Sequence, residues 1–118
     1  MQYLILIYDE EKKWADMPKA DAEKMFGEYR QCTQDLVKSG VLKGGAQLQP
    51  VANATTLRSR GGKLVTTDGP FAETKEQLGG FYLIDVPDLD SALKWASKVP
   101  SVRVGSIEVR AVVHNPGT

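Results

Sequence analysis

The chain begins with an unbroken apolar run, from Tyr3 to Tyr8, that ends at an acidic group at positions 9–11. Both faces of this run are apolar and most of its residues favour β-structure, so the pattern predicts a central strand covered on both sides. The polar residues that follow, as far as Pro18, predict a loop leading into a helix.

A stripe of apolar residues at helical spacing predicts the clearest helix of the chain. Gly40 is a typical C-terminal stop for it. A second, shorter stripe predicts another helix, with Asp88 as N-cap and Pro100 as its end. The residues of the first stripe are Ala22, Met25, Phe26, Tyr29, Cys32, Leu36 and Val37.

Strand patterns account for most of the remaining chain. Residues 41–49 and 81–86 are β-prone. Residues 55–59 and 63–67 flank a Gly-Gly pair, as the strands of a hairpin do. Residues 105–113 alternate between two faces, as in a strand. The order β-α-β-(β-β)-β-α-β predicts a ferredoxin-like α+β sandwich with an antiparallel sheet. Because two helices cover only one face of such a sheet, we expect a homodimer that pairs sheet to sheet.

Composition narrows the class of protein. The chain has 118 residues, enough for one domain, which we place at residues 1–113 with a C-terminal tail at residues 114–118. Fifteen basic residues balance fifteen acidic ones, which argues against a nucleic-acid partner. No segment has the length and apolar character of a membrane span or a signal peptide, and there is one cysteine, so we expect a cytoplasmic protein.

An acidic turn is the first candidate for chemistry. Asp68, Gly69 and Pro70 form a rigid turn, and Phe71, Glu73 and Lys75 follow it. In one interpretation Asp68 only accepts hydrogen bonds from neighbouring backbone N–H groups. In the other the turn directs Asp68 into a pocket, where a desolvated carboxylate acts as general base beside Glu73 or Lys75.

A second polar candidate lies on the last strand. Glu108 and Arg110 are two positions apart and therefore share a face. They form either an ion pair at a dimer interface or a pocket in which Arg110 binds an anion. Tyr8, Tyr29 and Tyr82 are candidates for lining a substrate pocket, although aromatic residues more often belong to a core.

Several kinds of site are not expected. The single His114 and the single Cys32 provide neither a zinc site nor a Ser-His-Asp triad, so no metal is predicted. The Gly-Gly pairs match no nucleotide-binding motif, and no cofactor is predicted.

Residues 68–81, Asp-Gly-Pro-Phe-Ala-Glu-Thr-Lys-Glu-Gln-Leu-Gly-Gly-Phe, resemble the signature of DGPF proteins, a branch of the YCII-related family. Segments 3–8, 44–50, 92–96 and 105–110 are also similar to that family. The resemblance extends over residues 1–113. It implies a bacterial, cytoplasmic, ferredoxin-like dimeric α+β barrel with a small-molecule active site, in a family often encoded beside extracytoplasmic-function sigma factors.

The chain departs from the family at one position. The YciI-like branch carries a histidine on the first helix that pairs with an aspartate in acid–base chemistry, and Tyr29 stands at the matching position here. A tyrosine, with an ordinary pKa of about 10, is a poor general base at neutral pH. Asp68, the aspartate of the motif, is retained.

Three hypotheses follow for function. The favoured one is a small-molecule site at or near the dimer interface, with lyase- or isomerase-type acid–base chemistry; no reaction is assigned, and whether the protein is an enzyme stays open. The alternative is a non-catalytic ligand-binding or regulatory dimer associated with an extracytoplasmic-function sigma factor. In the third, the motif is a structural latch for the dimer.

Overall fold

Four antiparallel strands form the main sheet, in the order β2-β5-β1-β6. The structure is a computed structural model that describes residues 1–114. The α+β class and the antiparallel sheet are confirmed, and the central position of β1 and β5 is that of a βαββαβ ferredoxin-like unit. The strands are β1 Gln2–Asp9, β2 Leu42–Gln47, β5 Gln77–Asp85 and β6 Ser106–Ala111.

The two faces of β1 have different surroundings. Tyr3, Ile5 and Ile7 are buried beneath the helices, whereas the alternate residues on the other face are half-buried and no helix of residues 1–114 covers them. The prediction of a central strand is confirmed, but within one chain only one of its faces is covered. We call the other side the open sheet face, and its residues include Leu4, Leu6, Tyr8, Leu83, Glu108 and Arg110.

The long helix α2, Lys19–Ser39, follows Pro18 and ends at Gly40, as predicted. Only part of its apolar stripe reaches the core: Met25, Cys32 and Leu36 are buried, while Phe26 and Val37 are exposed. Phe26 is exposed beside an open cleft, which is described below.

The helix α3, Leu89–Ala96, begins at the predicted N-cap. The Asp88 carboxylate accepts a hydrogen bond from the Ser91 backbone N–H at 2.9 Å. Pro100 does not end this helix, and that prediction was wrong. The helix stops at Ala96, and Pro100 instead opens a 3-10 turn at Pro100–Arg103, where its missing N–H costs nothing.

The segment between β1 and α2 was predicted as a loop, which is also wrong. It contains the short helix α1, Glu11–Ala15, because the Glu10 carbonyl accepts bonds from the N–H groups of Lys13 and Trp14. Trp14 then packs on Phe26 with ring centroids 5.5 Å apart, which holds α1 beside α2.

The predicted hairpin is confirmed, and it forms a separate two-stranded sheet. Its strands β3, Thr55–Arg60, and β4, Lys63–Asp68, pack chiefly against each other. We call residues 55–68 the hairpin arm. The radius of gyration is 16.4 Å, whereas a compact chain of this length has about 13.5 Å, so the molecule is extended.

No helix of residues 1–114 is both long and apolar enough to cross a membrane.

Candidate functional site

A cleft of about 1200 Å³ opens between α2 and the edge of the sheet formed by β2 and β5. Its inner end reaches the last residues of β1. Its lining combines apolar and aromatic side chains with polar and charged ones, among them Ile7, Asp9, Trp14, Phe26, Tyr29, Thr33, Leu48, Gln77 and Tyr82.

Two glycines form part of the cleft floor. Gly45 and Gly80 lie opposite Tyr82 and Ile7 in the strand register and therefore face α2. A Cβ on Gly45 would come within 2.7 Å of the Phe81 carbonyl, and one on Gly80 within 2.8 Å of the Ala46 carbonyl. Glycine therefore permits the close approach of β2 to β5 and leaves the space beneath α2 free of side chains.

Asp9 is the buried acid of the cleft. It continues the inward-facing series Tyr3, Ile5 and Ile7, and only 8% of it is exposed. Burial raises the pKa of its carboxyl, an effect that hydrogen bonding to Ser101 partly opposes. The Trp14 side chain also lowers the pKa of Asp9. The second carboxylate oxygen, Asp9 Oδ1, is buried and accepts no hydrogen bond from the described residues.

A chain of hydroxyl groups connects Asp9 to the cleft wall. Ser101 is fully buried, and its Oγ donates to Asp9 Oδ2 at 2.8 Å. The Tyr29 hydroxyl forms a short hydrogen bond with the same Oγ. Since the Ser101 hydrogen is used at Asp9, Tyr29 is the donor to Ser101. We call these three residues the relay.

Tyr29 is the end of the relay that lines the cleft. Burial is the main cause that raises its pKa to about 12, and hydrogen bonding to Ser101 partly offsets it. The phenol therefore keeps its proton at neutral pH. At that pH the hydroxyl donates a hydrogen bond to Ser101.

Gly105 makes the position of Asp9 possible. A Cβ at this residue would lie 2.5 Å from Asp9 Oδ1 and would collide with the Tyr8 carbonyl oxygen. The chain therefore passes directly behind the carboxylate, and this contact fixes the carboxylate at the inner end of the cleft.

Hydrogen bonds also hold the walls of the cleft. The Tyr82 hydroxyl and Thr33 Oγ1 are 2.7 Å apart across the space between β5 and α2. Gln77 Oε1 accepts a hydrogen bond from the Glu11 N–H at 2.9 Å, and Glu11 Oε2 accepts one from the Val51 N–H at 3.0 Å. These bonds connect α1 to both sides of the cleft entrance.

Two comparisons with known proteins identify the family. The model of the YCII-related domain matches residues 1–115. The chain belongs to the YCII-related family. A protein of Rhizobium meliloti (strain 1021), whose own function is uncharacterized, is 39% identical over 120 residues, which cover 99% of this chain and 97% of that protein.

A comparison of structures agrees with the fold of this YCII-related protein. It resembles the 5-chloro-2-hydroxyhydroquinone dehydrochlorinase of Burkholderia phenoliruptrix AC1100, solved in complex with 2,5-dihydroxybenzoquinone. The TM-score is 0.57, and the match covers 98% of this chain and 96% of that one. At 14% sequence identity the likeness shows the fold alone.

The structure of this YCII-related protein separates the tyrosines predicted to bind substrate. Tyr29 and Tyr82 both line the cleft. Tyr8 lies on the open sheet face together with Glu108 and Arg110, on the opposite side of the sheet. Arg110 Nε is 3.6 Å from Glu108 Oε1, and both side chains are largely exposed.

The acidic turn lies at the base of the hairpin arm, away from the residues that line the cleft in this chain. Gly69 has a φ of +94°, as the predicted turn requires, and its N–H donates to the Ala54 carbonyl at 2.7 Å. Lys75 Nζ lies 3.9 Å from Glu10 Oε1. The catalytic role of Asp68 stays a prediction, and the other exposed members of the motif are Pro70, Phe71 and Glu73.

Metal-binding chemistry has no geometric support in residues 1–114, which contain no group of three or more His, Cys, Asp or Glu side chains suited to a metal.

Sequence reasoning missed Asp9, Ser101 and Gly105. Asp9 carried a usable signal, because it follows the period-two series of β1 and so places an acid on the core face. Ser101 and Gly105 carried none, since only the tertiary fold brings positions so distant in sequence against the end of β1.

Proposed function

We propose that the cleft binds a small, planar, hydroxylated organic molecule and that the relay moves a proton between this ligand and Asp9. The observation that carries the proposal is the buried hydrogen-bonded chain from Tyr29 through Ser101 to Asp9. Buried carboxyl groups with shifted pKa values are typical of sites that transfer protons.

The walls of the cleft support a planar, largely apolar ligand. Trp14 and Phe26 form an aromatic pair at one side, and the glycine floor at Gly45 and Gly80 offers a flat surface opposite α2. Apolar walls with a small number of polar groups are the usual construction of a small-molecule site. The hydroxyls of Tyr29 and Tyr82 are the polar groups that would orient such a ligand.

The proposed proton transfer balances without a further reactant. An acidic O–H or C–H of the ligand gives its proton to the Tyr29 oxygen while the Tyr29 proton passes to Ser101 Oγ. The Ser101 proton then passes to Asp9 Oδ2, which becomes a neutral carboxyl. Because burial raises the pKa of Asp9, this buried carboxylate accepts a proton more readily than an exposed aspartate does. Return of the proton to another ligand atom completes an isomerisation, and loss of a leaving group completes an elimination.

The structurally similar dehydrochlorinase acts on a chlorinated, hydroxylated ring, according to its name. Removal of a proton and chloride from a ring is an elimination that a proton-accepting relay would assist. This likeness supports hydroxylated aromatic compounds as the first substrates to test on this YCII-related protein.

The test compares two tyrosine variants in the same cleft. With 5-chloro-2-hydroxyhydroquinone and unchlorinated hydroxyhydroquinones as probes, turnover is followed by absorbance and by chloride release. Tyr29→Phe keeps the ring but interrupts the relay, and we expect the rate to fall by roughly 10²–10⁴-fold with little change in ligand binding. Tyr82→Phe is the matched control, because its hydroxyl bonds Thr33 outside the relay, and we expect less than a tenfold loss.

Equal losses in the two tyrosine variants would contradict the relay. Binding of these compounds without turnover by the wild-type protein would favour the non-catalytic ligand-binding alternative. No contact among the described residues favours a sigma-factor partner, and that association stays a prediction, as does the cytoplasmic location.

We also propose that the protein is a homodimer in which two open sheet faces pack together as a dimeric α+β barrel. Leu4, Leu6 and Leu83 on this face are half-buried within one chain, and no helix or strand among the described residues covers them. Apolar sheet faces are normally covered by another layer, and a second copy provides one through an isologous contact.

A further inference from the structure

The chain exposes more surface than a compact monomer of its size. Its accessible surface is 8338 Å², whereas a compact protein of this mass exposes about 6300 Å². The excess, about 2000 Å², is more than twice the roughly 800 Å² that each partner of a standard interface buries.

The hairpin arm is a second uncovered surface, and its two faces differ. Leu57, Leu64 and Asp68 alternate onto one face, where the two leucines are 60% and 75% exposed. Arg58, Arg60 and Lys63 occupy the other face. We call the first the leucine face of the arm, and Asp68 is its only charged residue.

The base of the cationic face is occupied by the chain itself. Thr56 Oγ1 donates to the Gly69 carbonyl at 2.8 Å, and an Arg58 guanidinium N–H donates to the Phe71 carbonyl at 3.4 Å. Among the described residues, no comparable hydrogen bond from the rest of the chain occupies the leucine face. It is therefore the face that is available to a partner.

The open sheet face offers a complementary surface. Its centre is apolar, with Leu4, Leu6 and Leu83, and its β6 side carries a polar pair in which Arg110 is 71% exposed and Glu108 is 46% exposed. An exposed pair of this kind is weak, so the Arg110 guanidinium retains free donors. The ion pairs among residues 1–114 do not include Asp68.

We propose that the arm of each protomer lies on the second copy, with its leucine face against the open sheet face at β6 and Asp68 paired with Arg110 of that copy. The inference rests on the homodimer proposed above and adds a second, crossed contact to it. The two leucines would then lose contact with water. Asp68 of one copy then forms a polar cluster with Glu108 and Arg110 of the other.

Topology places the arm and Arg110 at opposite edges of the main sheet. The arm leaves the main sheet after β2, which is one edge strand, while Arg110 lies on β6, the opposite edge. Three strand spacings separate these edges, about 14 Å in all. In a twofold arrangement of two facing sheets, the arm beyond one sheet's β2 edge can reach the β6 strand of the other.

A charge-exchange experiment tests the contact directly. Asp68→Arg is made in one chain and Arg110→Asp in a second chain that carries a mass label. Each homodimer then opposes like charges, whereas the mixed dimer restores both Asp–Arg pairs. After mixing, native mass spectrometry should show an exchange constant at least about tenfold above its statistical value in favour of the mixed dimer.

An intrachain role for Asp68 predicts the statistical mixture, which would overturn the crossed arm while leaving the homodimer in place. A wild-type protein that is monomeric by sedimentation would overturn both. The activity of Tyr29→Phe tests only the relay in the cleft. Failure of the cleft proposal would therefore be recognised independently of the result of the charge exchange.

A second pair of variants keeps the inference testable if a charge reversal prevents folding. Leu64→Ser removes an apolar side chain from the leucine face and should weaken dimerisation by about tenfold or more. Val65→Ser, the neighbouring residue on the other face and 44% exposed, should leave it unchanged within about twofold. Equal effects of the two substitutions, or no effect of either, would overturn the proposed use of this face.

Discussion

Asp9 shows how a single residue can carry both the chemistry and a cost to stability. An acid at a core position of β1 must be desolvated, which disfavours its charged form and raises its pKa. Ser101 compensates in part with a hydrogen bond, and Gly105 leaves the space that the carboxylate needs. A purely structural core would place an apolar residue there, so the retained acid is more readily explained by function.

The pH dependence of stability tests the burial of Asp9. Because its folded pKa lies above the unfolded value, the folded state binds the extra proton, and this contribution to stability is lost as the pH rises through the folded pKa. Asp9→Asn cannot ionise, so we expect it to gain stability relative to wild type as the pH rises above the ordinary aspartate pKa of about 4. Urea unfolding across this range measures the difference, with the exposed Asp16→Asn as control.

Gly105→Ala tests the close approach behind the carboxylate. Its Cβ would collide with the Tyr8 carbonyl oxygen, and because this backbone atom cannot move aside cheaply, the free energy of unfolding should fall by about 1–3 kcal/mol. Gly27→Ala in α2 is the control, because its Cβ would meet nothing closer than Arg30 at 3.7 Å. That change should stabilise the helix by up to about 1 kcal/mol. Comparable losses in both variants would count against a specific role for Gly105.

At the scale of elements, local sequence signals determine some helix ends, and tertiary packing determines others. The termini of α2 and α3 follow from Pro18, Gly40 and Asp88, each of which acts through nearby backbone groups. The short helix α1 depends instead on Trp14 packing on Phe26, a contact with another element. Helices defined by their own caps are predictable, whereas one defined by its neighbour is not.

The N-cap of α3 gives a prediction at this scale. Hydrogen bonding to Ser91 lowers the pKa of Asp88, so its contribution to stability is present above the unfolded pKa and is lost as the pH falls through the folded pKa. Asp88→Ala should lower the melting temperature at neutral pH, and the difference from wild type should shrink in acid. Asp88→Asn keeps a capping oxygen and should lie close to wild type at neutral pH. Calorimetry of the three proteins at neutral and at acidic pH measures these differences in melting temperature.

The whole molecule is extended, with one sheet face and a projecting arm that the described part of the chain, residues 1–114, leaves uncovered. Stability of such a chain is expected to come partly from association, because a monomer would leave this apolar area in water. The cleft, by contrast, is formed by residues of a single chain, so binding in the cleft and dimerisation can be disturbed separately.

Concentration dependence of the melting temperature tests association. A hundredfold increase in protein concentration should raise the wild-type melting temperature by roughly 5–10 °C. Leu6→Lys places a charge on the open sheet face and should give a folded monomer with a lower, concentration-independent transition. Val37→Lys is the control, since this side chain is 61% exposed on α2, and it should keep the concentration dependence. A wild-type transition that ignores concentration would contradict the homodimer.

Sequence patterns were sufficient for the strands, the two long helices and the hairpin, because these elements depend on period and on local turn chemistry. The alternation of β6 and the Gly-Gly turn of the arm are examples, and both lie where predicted. Tyr29 and Tyr82 were also predicted as site residues and do line the cleft. The motif at residues 68–76 was equally visible in sequence, yet its residues lie on the exposed base of the arm.

What the sequence alone determined is therefore the family, the α+β class and the order of elements, all of which are encoded in local periodicity and in a contiguous motif. Only the tertiary structure decided the site. Asp9, Tyr29 and Ser101 are separated along the chain by as many as 92 positions and meet because β1, α2 and the turn after α3 converge. A proton relay depends on distances between side chains, and folding alone sets those distances.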